Sequence, residues 1–217
     1  MNSDSRAYPL HQGVPVPYIA AWSGEQPHPR NLIGRPRNGL GYGDETAADR
    51  DRDGALWQRM SHAPGSGVPD YGRVHPLRQR ETMQRLLCQV CRAPASRTDA
   101  GFLFLLPDHS AGWPRWPERM ICFHPPVCDG PCIEAAARYC PHLARGIAAR
   151  STSPRAHGVY GTRHRLHNGL LESVCDEITG YESSALPWVL ATQMARLLHG
   201  CSIDRQITGR LHRAARQ

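Results

Sequence analysis

The sequence predicts an α+β chain in unequal parts, and three observations carry that prediction. Residues 1–74 are broken by Pro9, Pro15, Pro17, Pro27, Pro29 and Pro36 and show little periodicity, so they read as a loop-rich N-terminal segment. Residues 75–150 hold two close cysteine pairs, Cys88/Cys91 and Cys128/Cys132, on either side of the apolar run Phe102–Leu106. Residues 151–204 place Asn168-Gly169 between two apolar runs, followed by a stretch with helical spacing; they read as a small α/β part, a hairpin plus a helix. Residues 205–217 form a basic tail.

Bulk properties narrow the class. A chain of 217 residues holds one core, or a small core with a satellite module. With 20 Gly and 19 Pro, much of it must be loop or extended segment. The formal charge is +7 and all 26 basic residues are Arg. Most of that bias is what a GC-rich coding sequence produces. The guanidinium fork nonetheless suits phosphate and carboxylate, so nucleic acid or a protein surface stays open as partner. No small-molecule ligand is named by any motif. The stretch Met1–Pro9 lacks a signal-peptide apolar core, and no run approaches the roughly 20 apolar residues of a membrane span. The expectation is a cytoplasmic protein with no membrane partner. In that compartment eight cysteines point to metal ligation or free thiols rather than disulfides.

Within the first segment, Val16–Trp22 and Ala55–Trp57 are apolar enough to dock as extended pieces. Asp44, Glu45 and the alternating Asp49-Arg50-Asp51-Arg52-Asp53 read as a solvated, self-neutralising loop rather than as catalytic carboxylates. Gly39, Gly41 and Gly43 lack the strand, helix and Lys of a phosphate-binding loop. From Pro76 a helix is predicted, with Leu77, Met83, Leu86, Leu87 and Val90 inward and Arg78, Gln79, Glu81 and Arg85 outward. If nucleic acid is the partner, Arg78, Arg80 and Arg85 are its candidate phosphate contacts. The plainer reading of that face is a solvated helix surface.

Cys88, Cys91, Cys128 and Cys132 have the spacing of a four-thiolate zinc site, since Zn²⁺ takes soft ligands in a tetrahedron and two short loops can each supply two. Gly101 and Pro107 bound a buried strand over Phe102–Leu106. Trp113 and Trp116 lie in a Pro-rich loop and read as a cap on the core. The run Ile133–Cys140 favours helix, which puts Cys132 at a helix N-terminus, where the backbone dipole favours thiolate. A knuckle, a hairpin and a helix starting at the second pair resemble the treble-clef arrangement over about 55 residues. The second pair departs from the common two-residue gap by having three residues between its cysteines. His124 is the reserve ligand. Cys140 lies about 12 Å along the helix from Cys132 and cannot share its shell if the helix is continuous. Cys122, Cys175 and Cys201 read as small buried hydrophobes.

Beyond residue 150, Gly158–Arg163 and Leu170–Ile178 read as a hairpin in preference to a helix. Ser183 or Ser184 then caps a predicted helix with Pro187 in its first turn. Its apolar face is Leu190, Met194, Leu197 and Leu198, and it ends at Gly200. The four arginines from Arg205 to Arg216 belong to a frayed basic helix or an extension.

The function these features favour is a zinc-stabilised binding or regulatory module without catalysis. The enzymatic alternative is an HNH-like metal-dependent nuclease, with His109 as base and Asp108 or His124 helping to hold a cation. Only part of that constellation is present, because Ile133-Glu134 stands where a further His or Asn is expected. No nucleophilic triad, dinucleotide fingerprint or Walker loop occurs. The segments Leu87–Cys91, Thr98–Gly101, His124–Cys128, Cys140–Leu143, Tyr18–Gly24 and Gly158–Gly161 resemble a group of uncharacterised actinobacterial proteins of Streptomyces type. That resemblance implies one recurring architecture and a GC-rich bacterial source, and it carries no catalytic residue.

Overall fold

A computed structural model describes residues 9–28, 31–139, 143 and 145–215. The first part contributes β1 (Leu10–His11), β2 (Val14–Pro15), β3 (Ala20–Trp22), β4 (Leu32–Arg35), β5 (Gly39–Tyr42), β6 (Leu56–Trp57) and β7 (Pro69–Val74). Next come α1 (Pro76–Arg85), β8 (Arg97–Thr98), β9 (Gly101–Leu106), β10 (Ile121–Cys122) and α2 (Pro131–Tyr139). The chain finishes with β11 (Ile147–His167), β12 (Leu170–Gly180), β13 (Val189–Ile203) and α3 (Arg205–Ala214). The architecture is mixed α and β, with three α-helices among the described residues around a curled sheet. Among those residues no helix is long and apolar enough to cross a membrane.

The spine is the antiparallel pair β11 and β13, in register from Ala149↔Ile203 to Arg163↔Val189. The other edge of β11 is shared: β9 pairs with its first half, Ile147↔Leu106 to Ser151↔Phe102, and β12 with its second, Gly158↔Gly180 to His167↔Leu170. On the far edge of β13 lie β10, antiparallel, and β6, parallel. The seven-stranded sheet therefore runs without a break across residue 150. Register shifts at Ala156/Gly158 and Tyr160/Gly161 mark bulges that curl it. Gly161 abuts the Leu190 backbone and Gly158 that of Thr179, so a side chain at either position would push the strands apart. Asn168 and Gly169 both take positive φ, the turn that an Asn-Gly pair predicts.

Three elements differ from the sequence expectation. Residues 189–203 form one strand, where the spacing predicts a helix that ends at Gly200. β13 is central and its first ten residues are largely buried on both faces, and a bulge interrupts its period of two, so its apolar residues fall at spacings that mimic a helix. α1 is a helix, but it turns its polar side inward: Arg78, Gln79 and Thr82 are buried with Met83, while Leu77 is 47% exposed. The Gln79 amide explains part of this, because it accepts from Met194 N–H at 2.8 Å and donates to Met194 C=O at 3.0 Å, completing the β13 backbone as a neighbouring strand would. The basic tail is a docked helix over Arg205–Ala214, with Asp204 accepting from Ile207 N–H as its cap and with Ile207 and Leu211 buried. The acidic run is likewise structural. Glu45 pairs with Arg35 and Arg50, Asp49 with Arg59, and Asp51 accepts from the Trp57 indole.

Candidate metal centre

The first cysteine loop is set by the end of α1. Leu86 takes a left-handed conformation at φ 52, and Leu87 N–H still reaches Thr82 C=O at 2.9 Å. That turn drops the chain into a tight knuckle, closed by Arg92 N–H to Cys88 C=O at 2.9 Å and Cys88 N–H to Ala93 C=O at 2.7 Å. The second loop lies alongside, joined by Gln89 N–H to Pro126 C=O at 3.0 Å and Gln89 Nε2 to Pro125 C=O at 2.9 Å. Gly130, at φ 78, turns the chain between Cys128 and Cys132, and Pro131 opens α2. Cys132 thus sits in the first helical turn, as its sequence context predicts.

These local turns bring together the sulfurs of Cys88, Cys91, Cys128 and Cys132, all within 4.8 Å of one another. Cys91 Sγ and Cys128 Sγ are 3.7 Å apart. A tetrahedral ion with metal–sulfur bonds of about 2.3 Å requires edges of about 3.8 Å, so the quartet can hold a metal ion of zinc's size and softness. Two backbone N–H groups, from Val90 at 3.4 Å and Cys128 at 3.2 Å, point at Cys88 Sγ. Donors aimed at sulfur favour the thiolate.

The thiols also share protons. Hydrogen bonds from Cys128 and then Cys132 hold the Cys88 thiol down to about 7 and Cys91 well below the ordinary thiol range. The same network, with Cys128 foremost, pushes Cys132 far up. Four sulfurs this close cannot all ionise against one another, and a divalent cation is what lets them do so.

The surroundings are largely apolar. Val90, Leu103, Leu105, Val127, Ile133 and Leu211 pack with the cysteines in one buried cluster. Sequence reasoning missed the clasp between Asp129 and Arg210, 2.9 Å apart, which fixes the second loop to α3 across 81 positions; no local pattern signals a pair so distant.

The other predicted site residues are dispersed. His124 lies outside the sulfur quartet, its ring 5.1 Å from that of Phe123. His109 and His124 line a common cavity of about 510 Å³. Asp108 is exposed and accepts from Ser110 N–H. Among the described residues, the four cysteines are the one group of three or more His, Cys, Asp or Glu gathered closely enough for a metal. Cys140 lies outside the described residues. Cys122 is buried, but Cys175 is exposed on β12, contrary to its reading as a buried hydrophobe.

Of the three candidate phosphate contacts, Arg78 is only 1% exposed and forks onto Glu25 at 2.6 and 2.7 Å, so it is an internal ion pair and faces no partner. Arg85 is exposed and bonds Glu81 at 3.0 Å. Arg80 is half-buried over the Trp57 ring. Compared with known proteins, the chain matches no family model, no curated protein and no solved structure.

Proposed function

We propose that Cys88, Cys91, Cys128 and Cys132 hold one Zn²⁺ as a structural ion, and that the protein is a non-catalytic binding module built on it. The carrying observation is a saturated ligand set: four sulfurs leave no position for water or substrate. The local order supports a treble-clef reading, since the knuckle at Cys88–Cys91 is followed by the β8–β9 hairpin and then by α2 starting at the second pair. The partner is nucleic acid or a protein, drawn to a surface with net charge +7.

Elemental analysis of the purified protein should find one zinc per chain. Cys88→Ser and Cys132→Ser should each lose the metal and give insoluble or destabilised protein. Zinc content near zero, or unchanged by either substitution, would rule out the assignment. The zinc-loaded protein should not cleave DNA when Mg²⁺ or Mn²⁺ is added. Cleavage that persists through purification and vanishes in His109→Ala would replace this reading with the nuclease.

A further inference from the structure

A cavity of about 550 Å³ opens between the Arg50–Asp53 loop and α1, lined by none of the residues of the cysteines' core cluster, and Arg52, Arg80 and Arg196 are in its walls. Two of these arginines lack a carboxylate partner. Arg196 is only 8% exposed, and its three nitrogens donate to the carbonyls of Met83 at 2.8 Å, Pro154 at 2.6 Å and Gln84 at 3.2 Å. Those oxygens carry partial charge only. A guanidinium has five N–H groups, so two remain after these three bonds.

Arg80 is less satisfied still. Its Nη1 is buried with no hydrogen-bond partner, and its guanidinium carbon lies 4.8 Å from the centre of the Trp57 ring. Burial, the largest influence, lowers its proton affinity against the opposing pull of Asp51.

The acids nearby are already engaged. Asp51 Oδ1 accepts from Asp53 N–H and Ala55 N–H, and its Oδ2 from the Trp57 indole at 2.9 Å. Asp53 pairs with Arg52 at 3.3 Å, and Arg50 with Glu45 at 2.7 Å. A partly buried cation without a counter-charge is costly, and an oxyanion entering the cavity would relieve that cost.

We propose that this cavity binds a phosphate group, held by the guanidinium groups of Arg80 and Arg196 in its walls, with Arg52 closing from the solvent side. Guanidinium suits this task because its fork matches phosphate oxygens. The proposal deepens the reading as a binding module by naming its ligand chemistry. Zinc content tests that reading separately.

The test is calorimetric titration of the full zinc-loaded chain at low salt. The probes are inorganic phosphate, a nucleoside 5′-monophosphate and a short single-stranded DNA without terminal phosphates. At least one should bind in a 1:1 ratio. Arg80→Met, which keeps the stem over Trp57, should weaken binding roughly 10- to 100-fold, the effect of losing one charge-assisted contact. Arg52→Gln should weaken it less, and Arg85→Gln, outside the cavity, should leave it unchanged. Tighter binding of the DNA, lost in Arg80→Met, assigns the phosphate to a nucleic-acid backbone. Binding of phosphate or the monophosphate alone assigns it to free phosphate or a small phosphate ester.

Zinc content and melting temperature should stay at the parent's values in both cavity variants. The proposal is overturned if no probe binds the zinc-loaded protein, or if Arg85→Gln loses as much as Arg80→Met. It also fails if Arg80→Met melts markedly lower and Arg52→Gln binds as the parent does.

Discussion

Glu25 carries a carboxylate into the interior and is surrounded by donors. Arg78 supplies two bonds, and the backbone N–H groups of Trp22 and Ala63 supply two more at 2.8 and 3.0 Å. Burial raises its pKa, but the Arg78 bonds and the backbone donors outweigh that and hold the carboxyl below its ordinary range. A depressed folded-state pKa means stability that is present above the unfolded value and lost as pH falls towards the folded one. The unfolded value for Glu is about 4.3. Glu25→Gln should therefore lower stability by about 3–5 kcal/mol at pH 7, because Arg78 is left buried without its counter-charge. The gap between parent and variant in denaturant titrations should shrink below about pH 4. A gap that stays constant across that range would show that the carboxylate's charge is not what matters. Comparing the two chains at each pH cancels the acid sensitivity of the cysteine site, which both share.

At the scale of elements, α3 decides whether the end of the chain is decoration or structure. Ile207 and Leu211, one turn apart, enter the core around the cysteines, and Thr208 Oγ1 accepts from Ala148 N–H at 3.0 Å. Leu211→Ala should cost about 2–5 kcal/mol, whereas the exposed Arg213→Ala should change stability by less than about 0.5 kcal/mol. Equal effects from the two would show that α3 is not docked. Elements with a local cause were legible in the sequence: β9 from its unbroken apolar run, the β11–β12 turn from Asn168-Gly169, the start of α2 around Cys132 from the helix-forming run after it, and the cysteine quartet from its spacing. Elements defined by distant partners were not. Nothing near Arg78 announces Glu25, 53 positions away, so a buried ion pair read as a solvated face. Nothing within residues 189–203 reveals that three strands and a glutamine amide flank them, and without those neighbours the spacing of Leu190, Met194 and Leu198 favours a helix. Asp204, a good cap, and the Ile207/Leu211 pair were visible, but arginines between them masked the buried stripe.

Over the whole molecule, the cysteine site ties together parts that the sequence separates. Tyr18 N–H reaches Val90 C=O at 2.9 Å and Ile19 N–H reaches Gln89 C=O at 3.2 Å, so the N-terminal segment is bonded directly to the knuckle. Tyr18 Oη donates to Glu81 at 2.6 Å, and Arg92 reaches the same carboxylate at 2.7 Å, which locks α1 to that junction. On the other side, β9 carries the hairpin into the main sheet, and Arg210 holds the second loop to α3. Structural zinc contributes on the order of 10 kcal/mol in small metal-dependent domains, comparable to the whole stability of a typical fold. If zinc occupies the quartet, a strong chelator should therefore unfold far more than two loops. Far-UV circular dichroism and tryptophan fluorescence should lose their native signals together, because Trp22 is on β3, directly after the Tyr18–Ile19 segment bonded to the knuckle, while Trp57 belongs to a separate core cluster beside β13. Coincident transitions are the mark of one cooperative unit. If chelation released the metal but left the circular dichroism of the sheet in place, the long β11–β13 pair would be stable by itself and the ion would only shape the cysteine loops.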